Sequence, residues 1–146
     1  MRWRAADRFN AEVGPLAASQ APASVKLRDM IRGHVAVVTS AQKDAAVFLH
    51  EWRFLSEERR LKIAARRDDY ERLFRRVIAD GVDNGDFIKV DPRLTATAVL
   101  SALNGIATWY RPDGELSADD IADQHASLFL DGLANPDPNF MMRTFS

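Results

Sequence analysis

At 146 residues the chain fits one domain, and a domain of that size buries about 70% of the surface its unfolded chain exposes. Its 20 basic and 21 acidic residues leave a formal charge of −1, so net charge draws it neither to nucleic acid nor to an anionic membrane. The absence of cysteine excludes disulfides and thiolate metal sites and suits a reducing cytoplasm.

Helical periodicity dominates from the start. Trp3, Ala6, Phe9, Val13 and Leu16 recur at roughly three-residue spacing, and Gly14-Pro15 is expected to weaken or end that first helix. A small-residue linker with Pro22 follows. Ser24 is the expected N-cap of a second helix, whose apolar positions are Leu27, Ile31, Val35 and Val38. A third helix is expected over 41–55, with Val47, Phe48, Trp52 and Leu55 on its apolar side.

Ser56 caps a long fourth helix, with Glu57 and Glu58 in the first turn, where they complement the helix dipole. Its stripe is Leu61, Ala65, Tyr70, Leu73, Phe74, Val77 and Ile78, and it ends in the turn chemistry of Asp83-Asn84-Gly85-Asp86. Phe87-Ile88-Lys89-Val90 is the only short strand-like run, and it reads as a helix–helix loop. Asp91-Pro92 restarts a fifth helix over 91–110, Asp as N-cap and Pro in the first helical position. Arg111-Pro112-Asp113-Gly114 breaks it. Ser117 and Asp120 have the spacing of a capping box and open a sixth helix over 117–133. The tail contains Phe140, Met141, Met142 and Phe145. The fold class is all-α, with about six helices.

No apolar run approaches the roughly 18 residues of a membrane span, and the first residues lack the apolar core of a signal peptide. A cytoplasmic protein with no membrane partner is expected.

Motifs that carry chemistry are scarce. None of His34, His50 and His125 has a His, Asp or Glu three or four residues away, so no metal pair is displayed on a helix, and no metal or cofactor is expected. There is no G-x-S-x-G elbow and no phosphate-binding glycine loop. An enzyme would require titratable side chains converging in a pocket. The arginines between Arg53 and Arg76 are interleaved with Glu57, Glu58, Asp68, Asp69 and Glu71, the pattern of a solvated face with i, i+4 pairs. One or two of them remain candidates for an anionic ligand group at a pocket mouth.

The fifth helix says more. Ala98, Ala102, Gly105 and Trp109 form one stripe of mainly small residues, and Val99, Leu103, Ile106 and Tyr110 form an apolar stripe beside it. A helix apolar on two sides is sandwiched, either inside a single-chain bundle or between its own core and a second copy. On the sixth helix, Ile121, His125, Leu128 and Phe129 share a side.

YERLFRRVI at 70–78, the VDP at 90–92 and ALNGIATWYRPDGELSADDIADQHASLFLDGL from Ala102 resemble the C-terminal domain of TetR-family transcriptional repressors, over about 24–133. The resemblance is greatest to the branch that senses acyl-CoA thioesters in lipid, fatty-acid or steroid degradation. It implies a homodimer formed through the helices at 91–110 and 117–133, with Ala98, Ala102, Gly105, Ile121, His125, Leu128 and Phe129 at the interface. It also implies a pocket for an apolar small molecule within each subunit, lined from 27–38, 47–52 and 70–78. Val38, Phe48, Trp52, Tyr70, Phe74, Ile78, Leu103, Asn104 and Trp109 are its expected ligand contacts. Such repressors read DNA through an N-terminal helix-turn-helix domain of about 45–50 residues. Nothing before Ser24 has room for one, so DNA is an expected partner only through a domain absent from this chain. Residues 1–22 are then expected to be a linker helix, 23–134 the sensing and dimerisation domain, and 135–146 a tail. The competing reading is a helical homodimeric interaction module with no ligand cavity.

Overall fold

The structure, a computed structural model, describes residues 4–136. These form six α-helices: α1 (Arg4–Ala17), α2 (Ala23–Ser40), α3 (Gln42–Ala46), α4 (Glu57–Asp83), α5 (Pro92–Trp109) and α6 (Ala118–Leu133). Between α3 and α4 the chain widens into a π-helical turn, Val47–Glu51, then tightens into a 3-10 turn, Trp52–Phe54. The expected aromatic tail at 139–146 lies outside the described residues, as does Trp3.

The central helix is α2. It packs against α1 on one side and α6 on another, and also touches α4 and α5. Its apolar residues Leu27, Met30, Ile31, Val35 and Val38 are fully buried, and they meet Phe9 and Val13 of α1 and Phe74 and Ile78 of α4 in one core.

Several boundaries follow from local chemistry. Asp91 accepts from the Leu94 amide at 2.9 Å. Ser117 Oγ accepts from Asp120 N at 3.1 Å while Asp120 Oδ2 accepts from Ser117 N at 3.4 Å, closing the capping box. Ser56 caps α4 through the amide of Arg59. The 87–90 run is a loop, tied antiparallel to the end of α6 by Ile88 N to Leu133 O at 2.7 Å and Asn135 N to Asp86 O at 3.1 Å.

Four expectations are corrected. Gly14-Pro15 does not end α1, which runs through Pro15 to Ala17; packing of Phe9 and Val13 against α2 holds the helix through the missing amide. The cap of α2 is Pro22 rather than Ser24, and no side chain bonds the free amides there. The third helix is broken into three geometries rather than one. In α4, Leu61 and Ala65 are not buried, and Ile63 is buried in their place. Residues 57–62 of α4 are all exposed, so its buried stripe begins at Ile63.

Candidate functional site

A cavity of about 290 Å³ lies between α1, α2, α4, α5 and the π turn. Its apolar wall comes from Phe9, Phe48, Leu49 and Leu100. Helix α5 contributes Arg93, Thr97, Ser101 and Asn104, residues at helical spacing on one face; α4 contributes Arg67, Asp68, Tyr70 and Glu71. The mixture is amphipathic rather than simply apolar.

His34 of α2 is the buried centre of one wall, 1% exposed. Its Nδ1 lies 2.8 Å from Tyr70 Oη and its Nε2 2.8 Å from Asn104 Oδ1, so one imidazole joins α2, α4 and α5. The ring stacks on Phe9 with centroids 4.5 Å apart. Burial pushes the His34 pKa down to about 4, against the smaller opposing effect of the bond to Asn104, and the ring is neutral near pH 7. Burial also drives the Tyr70 hydroxyl well above its ordinary value.

Arg67 holds the π turn. Its Nη1 donates to the carbonyls of Phe48 and Leu49 at 3.1 and 3.0 Å, and its guanidinium lies 5.3 Å from the Trp52 ring centroid. Burial lowers its pKa and the neighbouring Asp68 raises it. His50 Nε2 fixes the other side of the turn by donating to Asn104 O at 3.0 Å. Glu71 pairs with Arg75. The Arg93 guanidinium has no ion pair among the described residues.

Of the expected ligand contacts, Phe48, Tyr70 and Asn104 line this cavity. Val38, Phe74, Ile78 and Leu103 are packed in the core and do not reach it. Trp52 stands behind Arg67. Trp109 is 50% exposed and stacks on His125 of α6, bordering a separate groove at the α5–α6 turn. Sequence reasoning misses Phe9, because α1 reads as a linker, and His34, whose neighbours along the stripe of α2 are apolar. It offers Arg67 only as one of several arginines between Arg53 and Arg76 that are candidates for a pocket mouth, and it misses Arg93. A single charged residue in a mixed-charge run carries no mark of which way it points.

The expected interface residues also divide. Ala98, Ala102 and Leu128 are exposed, and Gly105, His125 and Phe129 are half-buried. Ile121 is 3% exposed within the single chain, so it has no surface to give a partner; it packs in the core below α6 instead.

His34 and Tyr70 are two titratable groups at hydrogen-bond distance on a cavity wall, the arrangement that would suggest catalysis. Burial holds both neutral and far from the near-neutral pKa that proton transfer at pH 7 requires. No helix among the described residues is long and apolar enough to cross a membrane, and no metal-ligating cluster occurs among them.

Residues 20–133 match the family model of the tetracyclin repressor-like C-terminal domain. The HTH-type transcriptional repressor KstR2 of Rhodococcus jostii (strain RHA1) is 25% identical over 123 residues, covering 83% of this chain and 60% of that protein. The chain therefore spans less than two thirds of this relative's length. Among solved structures, the TetR-family regulator PfmR of Thermus thermophilus superposes with a TM-score of 0.77 at 31% identity, over 88% of this chain and 70% of that one. AibR, solved in complex with isovaleryl coenzyme A and operator DNA, gives a TM-score of 0.78 at 28% identity, over 86% of this chain and 68% of that one.

Proposed function

We propose, since this chain belongs to the tetracyclin repressor-like C-terminal-domain family of transcriptional regulators, that its ligand is a short-chain acyl-CoA thioester and its working form a cytoplasmic homodimer. The family's members are regulators that act by binding, not enzymes. The domain is of the ligand-binding and dimerisation type.

The observation that carries the ligand reading is the cavity: an aromatic and aliphatic wall beside the cationic side chains Arg67 and Arg93. Its volume of about 290 Å³ lies at the lower end of the roughly 300–1,000 Å³ common for small-molecule sites, which suits a short acyl group. The coenzyme's phosphates then stay outside, within reach of the exposed Arg93. The isovaleryl coenzyme A complex of AibR supports the same class. The rival reading, an interaction module without a cavity, has no use for a buried polar relay on a cavity wall. Ligand binding can shift a regulator only by its difference in affinity for two states. In this reading α5 carries that difference, because it borders both the cavity and the exposed face of Ala98 and Ala102. These residues take no part in reading an operator, and a specific mobility shift produced by this chain alone would contradict that.

Calorimetric titration tests the ligand class. Butanoyl- and isovaleryl-CoA are expected to bind at least about tenfold more tightly than free coenzyme A, and Arg93→Ala to weaken both. No binding by either thioester overturns the reading.

A further inference from the structure

We propose that Asn104 is the specificity-determining donor of the cavity, its side-chain amide bonding a carbonyl oxygen on the enclosed part of the ligand, with His34 and Tyr70 as the residues that hold it in that orientation. This rests on the reading of the cavity as the ligand site.

The orientation follows from hydrogen-bond bookkeeping across three helices. The atom of Asn104 that faces His34 Nε2, at 2.8 Å, is Oδ1, which only accepts. Nε2 therefore carries the imidazole proton. A neutral imidazole has a single N–H, so Nδ1 accepts, and the Tyr70 hydroxyl 2.8 Å away donates to it. The neutral state is what burial at 1% exposure demands, and the lowered pKa of His34 agrees with it. With Oδ1 committed, the two Asn104 amide hydrogens are what remain. No group among the described residues accepts them, while the residue lies on the cavity wall.

The backbone of Asn104 is fixed as well. Its carbonyl accepts from His50 Nε2 at 3.0 Å, which pins α5 to the π turn at this level. The side chain is therefore braced by α2 and α4, and its main chain by the turn. Arg93, at the other end of the lining face of α5, is displaced by about 16 Å at 1.5 Å of rise per residue. The two mark separate functions along one ligand: charge at the exposed end, one directional donor at the braced end. An apolar pocket alone discriminates poorly between a plain acyl chain and one bearing oxygen, whereas a built donor rewards the ligand that satisfies it.

The test is a matched series bound to the 146-residue chain: the S-butyl thioether, the butanoyl thioester and the 3-oxobutanoyl thioester, each prepared on pantetheine and on coenzyme A. In the unmodified protein one added carbonyl is expected to tighten binding roughly fivefold to tenfold, the value of one neutral hydrogen bond. That gain, read in each protein relative to its own thioether affinity, should vanish in Asn104→Leu. Asn104→Leu leaves His34 without its acceptor, so Asn104→Asp, which retains an acceptor and removes the donor, is the second variant and should lose the gain too. Tyr70→Phe removes the brace and should shrink the gain without abolishing thioether binding. Equal affinity across the series, or a gain that survives both Asn104 variants, overturns the proposal while leaving the acyl-CoA reading intact. A gain seen on pantetheine, with no added affinity from coenzyme A, upholds the donor and removes the coenzyme from the proposed function. Failure of every compound to bind overturns both.

Discussion

His34 sits among Phe9, Phe74 and Tyr70 with Asn104 at its other nitrogen, and no carboxylate bonds it. Its proton therefore has nowhere favourable to go in the folded chain. The ring titrates at about 4 when folded and at an ordinary 6.5 when unfolded. Between those values the unfolded state binds a proton that the native state does not, so stability falls as pH drops through 6.5 and the whole contribution is gone below 4. The interval corresponds to about 3 kcal/mol at 1.36 kcal/mol per pH unit. Urea unfolding of the wild type at pH 7 and pH 4.5, against His34→Gln, checks this. The variant should be less stable at pH 7, and its loss on acidification should be smaller by about 2–3 kcal/mol. An equal pH response in both proteins would place the acid sensitivity elsewhere.

At the scale of elements, the joint between α4 and the 87–90 loop is set by one glycine. A Cβ at Gly81 would stand 2.2 Å from Cδ2 of Phe87, a ring that is itself buried. Phe87 N also donates to Gly81 O at 3.0 Å, which holds the backbone under the ring against α4, and the burial of the ring leaves it little room to turn aside. Alanine would gain roughly 1 kcal/mol of helix propensity, but overpacking of this kind costs about 1–3 kcal/mol. Gly81→Ala is expected to be destabilising, whereas Gly14→Ala in α1, where a Cβ meets nothing within 4 Å, should stabilise by up to about 1 kcal/mol. Thermal unfolding of the two variants should move Tm in opposite directions. The readable elements are those whose signals are local. Asp91-Pro92 and the Ser117–Asp120 box hold their own amides, so adjacent letters specify them. The π turn is different. Its carbonyls are taken by Arg67, 18 or 19 residues away, and its far side by His50 reaching α5. The letters of 47–51 alone read as ordinary helix, and Pro15 misleads in the same way, because the packing that overrides it belongs to α2.

At the scale of the molecule, the cavity is legible in the sequence only in part, since it exists where α1, α2, α4 and α5 meet. Phe48, Tyr70 and Asn104 stand out as aromatic or polar residues on apolar helices; which other residues join them depends on rotations that no single helix encodes. The exposed apolar face is more legible, because it is a one-helix property. Leu94, Ala98, Ala102, Gly105 and Trp109 follow one another along α5 at spacings of four, four, three and four. Leu94 is 69% exposed and Leu128, on α6, is also 69% exposed. Two helices presenting such a face fit association with a second copy, and the small residues allow close helix approach. The contrast between Leu128 and Ile121 turns this into a test. Leu128→Glu removes nothing from the core of a single chain, so the monomer should keep its Tm within about 0.5 kcal/mol of equivalent stability. In the dimer it would bury an unpaired charge at a cost of roughly 3–5 kcal/mol, weakening association by at least about 100-fold. Ile121→Ala should do the reverse, costing the fold about 2–5 kcal/mol as a core truncation while leaving the outer face as it was. Native mass spectrometry across a concentration series separates the two, and a wild-type chain that stays monomeric at every concentration would remove the pairing face from the proposal.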